Sequence, residues 1–254
     1  MRRGLVPSRA TATEAIQAGR VLVDGAPGSS AAHRVSPQQS VALMGPAREY
    51  VSRGGEKLAA ALDAFAITIA GQRALDAGAS TGGFTDCLLR RGALHVSAVD
   101  VGHGQLAWEL RNDPRVTVME RTNVRELVPE AFGGPVPLAV ADLSFISLLT
   151  VAPALARCTT EDADLVLLVK PQFEAGRARV GSGGVVRDPA VHAAVLVEVG
   201  RGLMAAGLPV VDAAPSILLG PAGNREFLVH CRRLGVPLGA DRLAAVAEPA
   251  RSDA

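Results

Sequence analysis

The chain has 254 residues, 48% of them hydrophobic but only 3% aromatic, with a net charge of +1. This length suits one full α/β domain plus something small, and the core must be filled by aliphatic side chains. No apolar run approaches the roughly 18 residues of a membrane helix, and none follows Arg2-Arg3 to form a secretory signal, so a cytoplasmic protein without a membrane segment is expected.

In chain order, residues 1–46 read as a small helix–strand module. Ser8 is placed to cap a helix from Arg9 to Ala18, with Ala12, Ala15 and Ile16 on one face and Gly19 ending it. Arg20 to Gly25 reads as a short strand closing in an Asp-Gly turn, and a second strand is expected around Ser40–Met44. Gly45-Pro46 marks a boundary, and residues 47–52 read as a linker. The first 57 residues carry Arg2, Arg3, Arg9, Arg20, Arg34, Arg48, Arg53 and Lys57 against Glu14, Asp24, Glu49 and Glu56. A basic excess suits phosphate contacts or a solvated surface equally well. Arg2, Arg3, Arg9, Arg20 and Arg53 are the candidate RNA contacts.

The second domain is expected over residues 53–234. Lys57 to Phe65 reads as an amphipathic helix. Seven apolar β-like runs follow: Ala74–Ala79, His95–Asp100, Val116–Glu120, Leu138–Leu143, Asp164–Val169, Leu208–Ala214 and Glu226–Arg232. Helix-length segments separate the first five, which predicts a parallel sheet with helices on both faces. Only a short segment separates the last two, which predicts a closing hairpin with one antiparallel strand. That pattern distinguishes a methyltransferase-type Rossmann-like sheet from a dinucleotide-binding one. Residues 235–254 read as a flexible tail. Cys87, Cys158 and Cys231 are odd in number and far apart, so they suggest buried thiols in a reducing compartment, with neither disulfides nor a metal site.

The first strand runs into Gly78-Ala79-Ser80-Thr81-Gly82-Gly83-Phe84. Small residues there let backbone approach a ligand at the carboxyl end of the sheet. The glycine spacing is not that of a pyrophosphate cradle. Asp100 ends the second strand, where a carboxylate takes ribose hydroxyls, and Asn123 follows the third, where it is expected to meet an adenine edge. Gly78, Ser80, Thr81, Gly82, Gly83, Asp100 and Asn123 thus suggest an adenosine-type cofactor, with NAD and S-adenosylmethionine both open at this point.

Only two lysines occur, Lys57 and Lys170, so 24 of the 26 basic residues are arginine. Lysine loses its proton when buried, whereas arginine does not, so these two positions are suspects for chemistry. Lys57 precedes the first strand, Asp142 ends the fourth, Lys170 follows the fifth and Glu226 starts the last. The topology is expected to gather all four at the cofactor face. A ribose 2′-hydroxyl is a poor nucleophile and needs a base. A lysine serves if its pKa falls from about 10.4 towards about 7–8. Burial of Lys170 beside a second ammonium, Lys57, is expected to supply that shift, with Asp142 and Glu226 steering the ammonium groups.

Residues 8–25, Val51-Ser52-Arg53-Gly54-Gly55-Glu56-Lys57-Leu58, Asp76 to Asp86, Asp100-Val101-Gly102, Ala141 to Ser147, Val169 to Glu174 and Gly223-Asn224-Arg225-Glu226 carry a family resemblance over almost the whole chain. The sequence resembles the TlyA family of ribosomal-RNA 2′-O-methyltransferases, sometimes labelled hemolysin A. The resemblance implies an N-terminal S4 RNA-binding domain and an FtsJ-like catalytic domain using S-adenosylmethionine. It also implies a Lys-Asp-Lys-Glu tetrad falling on Lys57, Asp142, Lys170 and Glu226. The implied substrate is a cytidine ribose in ribosomal RNA; ribosomal subunits are the expected partners, and a monomer is expected. One departure is that the family's S4 domain usually starts several residues earlier, with a fuller first helix before Arg2-Arg3-Gly4-Leu5, so either a start codon called too late or a trimmed S4 domain is expected. The alternatives are an RNA-binding or membrane-lytic protein without methyl transfer, and an NAD oxidoreductase. The lytic reading lacks a membrane-seeking segment, the binding reading does not need the tetrad, and the glycine spacing disfavours NAD.

Overall fold

Ser8 starts the first helix, α1 (Arg9–Gln17), its Oγ accepting from the Thr11 amide at 3.1 Å. This is seen in a computed structural model that describes residues 3–6, 8–17, 19–28, 30–44 and 49–248. Arg2, the Gly45-Pro46 boundary and Arg48 lie outside the described residues. Ala15 on the apolar face of α1 is fully buried. Strands β1 (Val21–Val23) and β2 (Ala26–Pro27) form an antiparallel hairpin about Asp24-Gly25. Both turn residues have positive φ, 51° and 84°, as a two-residue hairpin turn requires. Strand β3 (Val41–Leu43) pairs on the other side of β1, giving the order β2-β1-β3. At two residues, β2 is too short to carry a readable alternation, and the sequence reading did not include it.

Helix α2 (Arg53–Ala64) begins one turn before the expected start at Lys57. Gly54-Gly55 disfavours helix intrinsically, but close packing demands it here. A Cβ at Gly55 would fall 2.3 Å from Tyr50. Ser52 caps the helix by accepting from the Gly54 amide. The buried face of α2 then comprises Lys57, Leu58, Ala61 and Leu62.

The sheet contains β4 (Arg73–Ala77), β5 (His95–Val99), β6 (Val116–Met119), β7 (Val136–Ala141), β8 (Thr159–Val169), β9 (Val210–Pro215) and β10 (Phe227–Cys231). Its order is β6-β5-β4-β7-β8-β10-β9. Strands β4 to β8 are mutually parallel, and β10 runs antiparallel between β8 and β9. The connecting helices are α3 (Gly83–Arg90), α4 (Trp108–Arg111), α5 (Leu148–Cys158), α6 (Pro171–Glu174) and α7 (Pro189–Ala205). The seven-stranded α/β architecture agrees with the sequence reading.

Two core layers sandwich the sheet. Leu165, Leu167 and Val169 of β8 face Leu155 of α5 and Val195 and Leu196 of α7. Val166 and Leu168 face the opposite layer, with Leu58 and Leu62 of α2 and Leu88 of α3. A strand covered on both faces reads as a continuous apolar run. Each buried leucine stabilises the fold by about 1.5–3 kcal/mol.

The expectation of a flexible tail over 235–254 needs correction. Residues 240–245 form α8 (Ala240–Ala245), which packs on α7 with Leu243 and Ala247 buried. Arg225 donates to the Ala247 and Glu248 carbonyls at 2.6 and 2.9 Å and fastens the segment. An Ala-rich segment with two buried residues four apart carries little periodic signal. Residues 249–254 lie outside the described residues.

Candidate active site

Parallel strands release their following residues at one edge of the sheet, where open α/β folds bind ligands. Gly78 follows β4, Asp100 follows β5, Asp142 follows β7 and Lys170 follows β8. Because β10 runs backwards, the residue before it arrives at that same edge. Phe227 pairs with Val169, so Glu226 lies alongside Lys170. Lys57 enters from the buried face of α2. A single cleft is lined by Lys57, Asp142, Lys170 and Glu226 together with Gly78, Ser80, Thr81 and Gly83.

Within it the four ionisable residues form two ion pairs. The Lys57 ammonium donates to Glu226 Oε2, and the two side chains are only 7% and 1% exposed. Lys170 Nζ stands 2.5 Å from Asp142 Oδ1 and donates to Ser144 Oγ at 2.9 Å. Each ammonium therefore has its own carboxylate partner.

The cleft floor is backbone. Gly78 has φ of +90°, and a Cβ there would lie 2.5 Å from the Asp142 carbonyl oxygen, so a side chain is excluded twice over. Three of the expected cofactor residues do not reach the cleft wall. Gly82, with φ of +95°, turns towards Leu110. Asp100 sits behind the glycine turn, its carboxylate accepting from the Ser80 and Gly102 amides at 2.8 and 2.6 Å. Asn123 caps the short 3₁₀ turn Val124–Glu126, accepting from the Arg125 amide and donating to Glu126.

Several residues beneath and around the cleft escaped the sequence reading. Asp76 is fully buried in β4 and accepts from the Thr85 hydroxyl at 2.6 Å. Burial pushes its carboxyl up to about 7 against the pull of the Thr85 bond, and the Asp142 and Asp100 charges push the same way as burial. The only signal was an acid inside the apolar run Ala74-Leu75-Asp76-Ala77. Phe145 is 91% exposed, holds φ of +65° and leans on Phe173 with ring centroids 5.2 Å apart. Glu174 accepts from the Ser147 hydroxyl and the Leu148 amide, which ties the Lys170 loop to the start of α5, and burial raises its carboxyl pKa.

The arginines divide. Arg53 lines the cleft and donates to the Leu219 carbonyl. Arg9 is exposed on α1, while Arg20 is half-buried in a hollow shared with Glu49 and Glu109. Arg3 donates to the Ser36 and Gln39 carbonyls and so braces its own domain. Helix α1 also contributes Glu14 to the wall of the catalytic cleft. Among the described residues no helix is long and apolar enough to cross a membrane, and no cluster of three or more His, Cys, Asp or Glu is arranged to hold a metal ion.

The sequence matches the FtsJ-like methyltransferase family over residues 50–233 and the S4 domain over residues 2–41. It is 56% identical over 233 residues to the 16S/23S rRNA (cytidine-2′-O)-methyltransferase TlyA of Mycobacterium tuberculosis, covering 91% of this chain and 87% of that protein. It is 40% identical over 228 residues to hemolysin A of Brachyspira hyodysenteriae, covering 89% and 95% respectively. A solved structure of a hemolysin-named protein from Streptococcus thermophilus matches with a TM-score of 0.81 at 38% identity, covering 97% of this chain and 91% of that one. The chain belongs to the TlyA family of FtsJ-like methyltransferases, with an S4 domain at its N-terminus.

Proposed function

We propose that this protein methylates a ribose 2′-hydroxyl of ribosomal RNA, on a cytidine, with S-adenosylmethionine as donor. Two lysine–carboxylate pairs converging on one backbone-floored cleft carry this reading. The site fits the cofactor. The floor at Gly78 excludes side chains, which lets a ligand approach the backbone at the carboxyl end of the sheet. When bound, S-adenosylmethionine would supply an electrophilic methyl carbon to the hydroxyl oxygen, the S–C bond breaking as the O–C bond forms so that the neutral thioether leaves.

The chain's own residues do the rest. Gly78, Ser80, Thr81 and Gly83 cradle the cofactor at the turn after β4, and Asp100 holds that turn in shape through the Ser80 and Gly102 amides. Lys170 Nζ is the acceptor of the 2′-hydroxyl proton, and the Asp142 carboxylate 2.5 Å away stabilises the ammonium that results. The Lys57–Glu226 pair lines the same cleft and fixes its far wall. Arg9 and Arg53 face the RNA backbone, and Phe145, three residues after Asp142, offers an exposed ring on which a base stacks. The enzyme acts as a monomer on ribosomal subunits in the cytoplasm.

The deciding experiment incubates purified protein with ribosomal subunits and methyl-labelled S-adenosylmethionine, then maps 2′-O-methyl positions in the RNA. A new 2′-O-methylcytidine is expected, and its absence from both subunits overturns the reading.

A further inference from the structure

The chain's one tryptophan is spent on its surface. Trp108 opens α4 and is 77% exposed, in a protein only 3% aromatic. Core duty does not account for it. Trp108 stands on the rim of a groove between the N-terminal and catalytic domains, with Arg9 on the α1 side and Gln105 and Arg111 on its own side. Thr81 lines both this groove and the catalytic cleft, so the two adjoin at that residue.

The chemistry of the lining is specific. It offers one large π face and two guanidiniums, and no acidic side chain among the described residues that line it. Arg111 is anchored by Glu120, which in turn accepts from His103 and the Gly104 amide, so this wall is braced. Arg9 on the opposite wall is exposed. An aromatic face flanked by cations suits unpaired nucleic acid, because every base has a face to stack and every linkage a charge to neutralise. A duplex hides its base faces and gains nothing from the ring.

We propose that this groove seats an unpaired stretch of the RNA substrate beside the target nucleotide, with one base stacked on Trp108 and Arg9 and Arg111 facing its phosphates. The inference rests on the RNA-methylating reading above and adds a second contact outside the catalytic cleft. It makes the junction of the two domains part of the substrate track.

Because Trp108 is the only tryptophan, its fluorescence reports on this groove alone. Titrating the full chain with short oligocytidylate, and with protein-free ribosomal RNA, is expected to quench it. Trp108→Ala is expected to raise KM for RNA roughly tenfold while kcat changes less than about twofold, and Trp108→Phe to recover most of the loss. Arg9→Glu is expected to weaken binding and flatten its salt dependence. Quenching by S-adenosylmethionine and not by RNA would assign Trp108 to the cofactor and overturn the proposal. A response to intact subunits but not to naked RNA would point to a protein partner and also overturn it. If the wild type methylates ribosomal RNA while Trp108 stays silent and its Ala variant keeps KM, the groove proposal alone fails. If the wild type methylates nothing, the functional reading fails, and the oligocytidylate titration still decides the groove.

Discussion

Lys57 and Glu226, 169 residues apart in sequence, meet as a buried ion pair. The pair exists because β10 enters the sheet backwards and delivers Glu226 to the edge that α2 overhangs. Removing one partner leaves an uncompensated charge, whereas removing both leaves an apolar contact. Glu226→Ala is expected to lower stability by about 3–5 kcal/mol, and Lys57→Met combined with Glu226→Leu to recover most of it. Both variants are expected to lose methyl transfer. Urea unfolding measures the first effect, and an equal loss in single and double variants would contradict it.

Lys170→Arg tests the proton acceptor without removing positive charge. Guanidinium does not give up its proton in proteins. The substitution is expected to cost about 10²–10⁴ in rate, while calorimetry shows cofactor binding retained. Substantial turnover by this variant would remove Lys170 as the base.

Asp76 makes stability depend on pH in an unusual direction for a carboxylate. Its folded value, about 7, lies above the ordinary value of 3.8, so the folded state binds the extra proton between them. Stability from this group is therefore full below about pH 4 and is lost as pH rises towards 7. The shift corresponds to roughly 4 kcal/mol at most. Asp76→Asn carries no titration, so its stability relative to the wild type is expected to rise across that window. A wild type-to-variant difference that stays flat from pH 4 to 7 would refute the assignment.

Gly78→Ala places a methyl group where the Asp142 carbonyl oxygen already stands, at a φ that L-residues rarely adopt. A loss of about 1–3 kcal/mol is expected from the backbone strain alone, together with weaker cofactor binding because the cleft floor must shift. Thermal unfolding and cofactor titration check the two effects separately.

The seven-stranded sheet was legible because each strand is an apolar run bounded by glycine, proline or charge, and two-sided burial leaves that run unbroken. The gathering of Lys57, Asp142, Lys170 and Glu226 at one cleft was legible because lysine is scarce and the strand ends converge. Where close packing overrides local propensity the reading failed, as at Gly54-Gly55, which begins α2 instead of preceding it. Short or weakly patterned pieces such as β2 and α8 carry too few buried positions to show a period. Side-chain destinations were the least visible. Asn123 caps a turn and Arg3 braces a loop, both uses that composition does not distinguish from ligand binding. Asp76 and Phe145 lie in motifs of the resemblance but were given no role of their own, because burial in one case and exposure in the other are properties of the folded molecule.

Both lysines of the chain line the catalytic cleft. Isotopic labelling of that single amino acid therefore yields a magnetic-resonance spectrum in which every side-chain signal originates in the reaction chamber. One substitution assigns both peaks. In most proteins of this size the same labelling would report chiefly on solvent-facing ammonium groups; here the arginine-dominated surface is silent, and the chamber's protonation can be followed directly through a turnover cycle.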